Sequence, residues 1–85
     1  MTGTKVRGLT GLNVAAVRIA AEALGDDTAG MLDGLTATTF TYPGTPADAI
    51  AWLDNGRQAL VAGGYRGNAH PVRSLAAVRR KFAQQ

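Results

Sequence analysis

The segment TATTFTYPGTPADAIAWL, residues 36–53, decides how this chain folds. Thr36, Thr38, Phe40 and Tyr42 alternate with Leu35, Ala37, Thr39 and Thr41. Threonine and aromatic side chains suit a pleated surface, and a period of two is that of a half-buried strand. Pro43 and Gly44 stop it. One strand cannot satisfy its own backbone groups, so it needs a partner. Three are open: Lys5 to Leu9, a later strand, or the same strand of a second molecule. Next, Thr45-Pro46-Ala47-Asp48 starts a helix: threonine caps, proline fits the first turn, and the acid suits the helix dipole. Ile50, Leu53, Leu60 and Val61 share one face of a helix running to Ala62, with Arg57 intruding and Asp54 as its partner. Asn55-Gly56 leaves two alternatives, a helix end followed by a strand over 58–62 or a hairpin turn. The continuous helix is the preferred expectation.

Downstream, Gly63 and Gly64 close that helix and Tyr65 to Asn68 form a turn. Pro71 opens a last helix with Asn68 or His70 as its cap. Pro71, Leu75, Val78 and Phe82 make its apolar stripe with Val72 at the edge, while Arg73, Ala77, Arg80, Lys81 and Gln84 face away. Trp52 falls off the main apolar face and is expected under the strand or in an interface. Gly63-Gly64-Tyr65-Arg66-Gly67 matches no phosphate-binding loop motif and reads as an inter-helix turn.

Upstream, residues 1–9 read as a solvated arm, with a short strand as the alternative. Thr10 to Leu24 is a helix with Thr10 or Asn13 as cap and Gly25 as stop. Val14, Val17, Ala21 and Leu24 line one face and Leu12, Ala16, Ile19 and Ala23 nearly the opposite one. Arg18 and Glu22 form a charged stripe between them. Apolar on two sides, this helix is expected to be covered on two sides, by layers of its own chain or by a second subunit. Residues 25–34 carry Asp26 and Asp27; Asp27 is read as the cap of one helical turn, since the ligand spacing of a calcium loop is missing. The division is therefore an arm (1–9), a helix and short turn (10–34) and a strand–helix–helix unit (35–85), all one domain.

Composition narrows the function classes. The chain has 85 residues, no cysteine and one histidine, His70, which excludes disulfides, thiolate metal sites and multi-histidine centres. His70 sits beside a proline at a helix start, with Ser74 one turn on but no supporting catalytic motif, so no enzyme and no cofactor is expected. Hydrophobic residues reach 46% but aromatics only 6%, which implies a core of small side chains and favours oligomerisation. The net charge is +3, and Arg66, Arg73, Arg79, Arg80 and Lys81 concentrate it late in the chain. No apolar run approaches a membrane span, and residues 1–7 lack the order of a secretory signal, so a cytoplasmic protein is expected.

Residues 38–82 resemble the ribbon-helix-helix family of DNA-binding dimers, the fold of Arc-type repressors. Thr38-Thr39-Phe40-Thr41-Tyr42-Pro43 is similar to the family's strand followed by proline, Pro46 to Gly64 to its first helix, and His70 to Phe82 to its second. The expected fold class is thus mainly α with one short strand, a ribbon-helix-helix-like unit preceded by an N-terminal helix. The resemblance implies an intertwined homodimer whose paired strands enter the major groove of DNA, with Phe40 and Tyr42 inward and Ala37, Thr39 and Thr41 towards the bases. It also implies a phosphate held by backbone amides near Asn68 and Ala69, helped by Arg66 and Arg73, with Lys5 or Arg7 reaching further along the backbone. The expected function is a bacterial or phage transcriptional regulator. The alternative is a non-enzymatic structural or adaptor protein of a phage-type virion or larger assembly, or a small inhibitor of another protein.

Overall fold

A computed structural model describes residues 3–25 and 32–85. Its elements run β1 (Thr4–Val6), α1 (Gly11–Leu24), β2 (Phe40–Tyr42), α2 (Pro46–Ala62) and α3 (His70–Ala83). The chain is mainly helical, as expected, but the sheet has two strands rather than one. The arm forms β1 and pairs antiparallel with β2, in the register Thr4 with Tyr42, Lys5 with Thr41 and Val6 with Phe40. Val6 and the following Leu9 are buried, so the N-terminal segment belongs to the core. Thr4 Oγ1 donates to the Gly44 carbonyl at 2.8 Å and ties the strand pair to the start of α2.

The strand expected over residues 35–42 is shortened to its last three residues. Thr36 to Thr39 instead make a tight turn in which the Thr36 N–H donates to the Thr39 carbonyl at 2.9 Å. Thr36 Oγ1 accepts from the backbone N–H of Thr39 at 3.0 Å and from that of Thr38 at 3.3 Å. Threonine hydroxyls offer the backbone a local alternative to a ladder, and here the alternative wins. The turn brings Leu35 back against Phe40, and the Thr41 N–H donates to the Gly34 carbonyl at 2.8 Å. Both edges of β2 are therefore occupied within one chain. Of the three partners open to this strand, the N-terminal segment of the same chain is the one observed.

Local chemistry places the first two helix starts. Thr10 and Asn13 form a reciprocal capping box at α1, with Thr10 the cap, and Gly25 ends that helix at φ 66°. Thr45 and Asp48 form the same box at α2, and the helix continues unbroken through Asn55-Gly56 to Ala62. Replacing Thr45 by alanine orphans the Asp48 N–H. We expect about 1 kcal/mol of destabilisation, read as a fall in thermal midpoint of roughly 4–8 °C. A melt unchanged within error would show that the box contributes nothing. At α3 the expected caps are not used. Ala69 occupies the cap position without a side-chain hydrogen bond, and neither Asn68 nor His70 fills the role. The Asp27 cap and the Asp26–Asp27 carboxylates lie outside the described residues.

The three helices pack mutually, and the sheet closes one end of the core. Phe40, Phe82, Leu53, Leu60, Leu75, Val17 and Val78 are its largest fully buried side chains. Trp52 packs under the strands, its ring centroid 6.2 Å from both Phe40 and Tyr42. Val72, expected at the edge of the α3 stripe, is buried with Leu75, Val78 and Phe82. Val61 departs the other way and is 48% exposed. On α1 the face of Val14, Val17 and Ala21 is buried together with Ala16 and Ala20. Leu12 and Ala23 stay exposed and Ile19 half-buried, so the two-sided burial expected of this helix is only one-sided. Because α2 and α3 lie against the same broad face of α1, nothing among the described residues covers its back. Among the described residues no helix is long and apolar enough to cross a membrane.

Candidate functional site

The charged residues of α3 divide by helical phase. Its fourteen residues hold Arg73, Arg79, Arg80 and Lys81 and no carboxylate. At about 100° per residue, Arg73, Ala77, Arg80 and Gln84 fall in one row, with Lys81 beside it. Arg73, Arg80 and Gln84 are exposed and Lys81 is half-buried. Arg79 points elsewhere: its Nε donates to Asp54 Oδ1 at 3.0 Å and Oδ2 at 3.2 Å, joining α3 to α2. The expected Asp54–Arg57 pair also forms, at 3.4 Å. Both contacts are more than a third exposed and so contribute at most about 1 kcal/mol each. Their main consequence is to take Arg57 and Arg79 out of the free cations.

The C-terminal end of α3 meets β1. Lys5, Arg7 and Lys81 line a cleft of about 420 Å³ with Val6, Gln84 and Gln85. The Lys81 Nζ lies 3.5 Å from where a Cβ on Gly8 would stand. Three cations and two side-chain amides thus face one open space. Such groups suit anionic oxygen, which accepts from all of them. Among the described residues, Lys5, Arg7, Arg66, Arg73, Arg80 and Lys81 make no ion pair.

A purely structural explanation covers only part of this set. Arg80 and Lys81 lie in the last turn of α3, where cations complement the helix dipole. Arg73 lies near the opposite end, where the dipole disfavours a cation, and no acid in that turn compensates. Lys5 and Arg7 gain no carboxylate partner from the sheet. An anionic ligand would account for all five.

The residues expected at a DNA site are partly gathered and partly scattered. Lys5 sits across from Thr41 on the sheet, and Arg7 follows on the same side of β1. Arg73 begins the α3 row, about 12 Å of helix rise from Lys81. Arg66 and Asn68 are exposed in the turn before α3. Ala37 and Thr39 are in the Thr36–Thr39 turn, away from any strand face, and the Thr39 hydroxyl is 2.6 Å from that of Thr36. The amide expected to hold a phosphate is engaged as well, since the Ala69 N–H donates to the Arg66 carbonyl at 3.0 Å. Arg80 and Lys81 were absent from the expected site, although the sequence placed both on the outward face of α3. His70 is exposed and Ser74 buried, with no hydrogen bond between them. The described residues contain no cluster suited to a metal ion.

No family model, curated protein or solved structure matches this chain.

Proposed function

We propose that the protein binds duplex DNA through its phosphate backbone, using Arg73, Arg80 and Lys81 of α3 together with Lys5 of β1 and the adjoining Arg7. The observation that carries this reading is a helix α3 without a carboxylate, whose unpaired Lys81 meets Lys5 and Arg7 across one cleft. Backbone contact of this kind gives affinity and steep salt dependence but little sequence preference. The threonines take no part in base reading, because Thr36 and Thr39 spend their hydroxyls on their own turn. A role in regulating or organising DNA, without catalysis, fits this mode of contact.

Fluorescence anisotropy with a labelled duplex, titrated at several salt concentrations, tests the proposal. Neutralising up to five phosphates predicts a slope of log K against log salt of roughly −3 to −5. The pair of changes Arg80→Glu and Lys81→Glu is expected to weaken binding more than about tenfold and to flatten the slope by about one per lost contact. Thr39→Ala and Thr41→Ala are expected to leave affinity within about twofold, since they remove no charge. Absence of binding at low salt sinks the proposal.

One observation favours the adaptor reading instead. Val61 and Tyr65 are 48% and 41% exposed. Val61 also borders an apolar groove of about 410 Å³ with Arg57, Gln58, Ala62, Gly67 and Val72. A duplex that fails to bind would turn attention to this groove.

A further inference from the structure

The back of α1, which none of the described residues covers, carries both an apolar row and a charge couple without an ion pair between them. Leu12, Ala15, Ile19 and Ala23 recur three and four residues apart and therefore share one face. Leu12 is 59% exposed, Ala15 and Ala23 are exposed and Ile19 is half-buried. Arg18 and Glu22 are exposed along one flank of this row. They are one helical turn apart, yet among the described residues neither takes part in an ion pair or a side-chain hydrogen bond.

We propose that this face of α1 docks against the same face of a second copy, the two helices running antiparallel about a two-fold axis. The charges select both occupant and direction. A two-fold axis perpendicular to the two helices makes them antiparallel and brings the same flank of both together. In that pair Arg18 of each copy meets Glu22 of the other. In a parallel pair the axis runs along the helices and sets opposite flanks together, so Arg18 and Glu22 would stay without their complements. Flanking charges set partner and orientation in paired helices in this way. Ile19 then lies near the axis, with Ala15 and Ala23 allowing close approach on either side. A single helix face falls short of the ~800 Å² per partner of a standard stable interface. The dimer is accordingly weak and concentration-dependent. β2 plays no part in it, so the association differs from a shared ribbon.

Sedimentation equilibrium on the purified chain without nucleic acid tests this, independently of DNA binding. Between roughly 10 µM and 1 mM, the weight-average mass is expected to rise from 8.8 kDa towards twice that value. Arg18→Glu, on the exposed surface, is expected to raise the dissociation constant about tenfold or more. The double exchange Arg18→Glu with Glu22→Arg is expected to restore it, because the swapped charges again meet opposites. Helical content measured on each variant separates lost association from lost folding. A monomer mass at every concentration overturns the proposal. So does a double exchange no better than the single one.

Discussion

Replacing Phe40 by alanine is expected to leave a chain that barely folds. Phe40 is fully buried on β2, and its ring joins three elements at once. It meets Phe82 of α3 edge-on at 5.8 Å, Tyr42 edge-on at 6.3 Å and Trp52 of α2 at 6.2 Å. A buried phenylalanine cut to alanine costs about 3–5 kcal/mol, from lost transfer energy and the cavity left behind. A domain of this length has a total stability of roughly 4–13 kcal/mol. The loss is a large fraction of the lower part of that range. The thermal midpoint should drop by roughly 15 °C or more, and the near-ultraviolet signal of Trp52 should weaken as its neighbour disappears. Phe40→Leu keeps most of the volume and should cost about 1.5 kcal/mol or less. A Phe40→Ala protein melting within a few degrees of the parent would show that the sheet does not anchor the core.

The same residue shows why part of this fold was legible and part was not. Phe40, Thr41 and Tyr42 were read as strand from their side chains, and they are strand. The four residues before them, Thr36 to Thr39, are rich in threonine too and were read in the same alternation. They turn because the Thr36 hydroxyl accepts from Thr38 and Thr39, a choice between local and ladder hydrogen bonds that periodicity does not report. β1 was harder still. Three residues with one buried valine carry almost no local signal, and the strand exists only because β2, some 35 residues on, offers an edge. Helix starts were legible at Thr10 and Thr45 because a capping box is complete within four residues. The start of α3 was legible from Pro71, but its cap was not, because Ala69 takes the cap position without a side-chain hydrogen bond.

The site divides along the same line. Cations are visible in any sequence, and Lys5, Arg7 and Arg73 are all exposed and without an ion pair among the described residues. Which cations remain free is a matter of packing. Arg79 is withdrawn by Asp54, 25 residues earlier, and Lys81 is brought to β1 only by the docking of α3. α3 contains no acid, so only a neighbouring element can withdraw its cations, as α2 does for Arg79.

Gly56→Leu is the second substitution expected to have a large effect, and it tests the helix packing that makes one core of this chain. Asn55-Gly56 looks like a turn, yet it lies in mid-helix, where glycine is disfavoured by about 1 kcal/mol relative to alanine. The structure gives the reason. A Cβ on Gly56 would stand 2.9 Å from Ala20 Cβ, with Leu75 Cδ1 at 3.7 Å and Leu24 Cδ1 at 3.8 Å. Glycine is therefore the residue that lets α1 lie close on α2. A leucine side chain must push the helices apart or leave its rotamer, and overpacking of that kind costs about 3 kcal/mol. Alanine sets the sign more delicately. Its helix propensity gains about 1 kcal/mol, and the close contact with Ala20 has to exceed that gain. We expect Gly56→Ala to destabilise the natural chain. In an Ala20→Gly background the obstructing Cβ is gone, so the same change should stabilise by the propensity difference alone. This reversal is a coupling between residues in contact, and a double-mutant cycle of thermal or urea melts measures it directly. Should Gly56→Ala stabilise the chain with Ala20 in place, the two helices would not approach this closely, and the glycine would have to be explained by something other than packing.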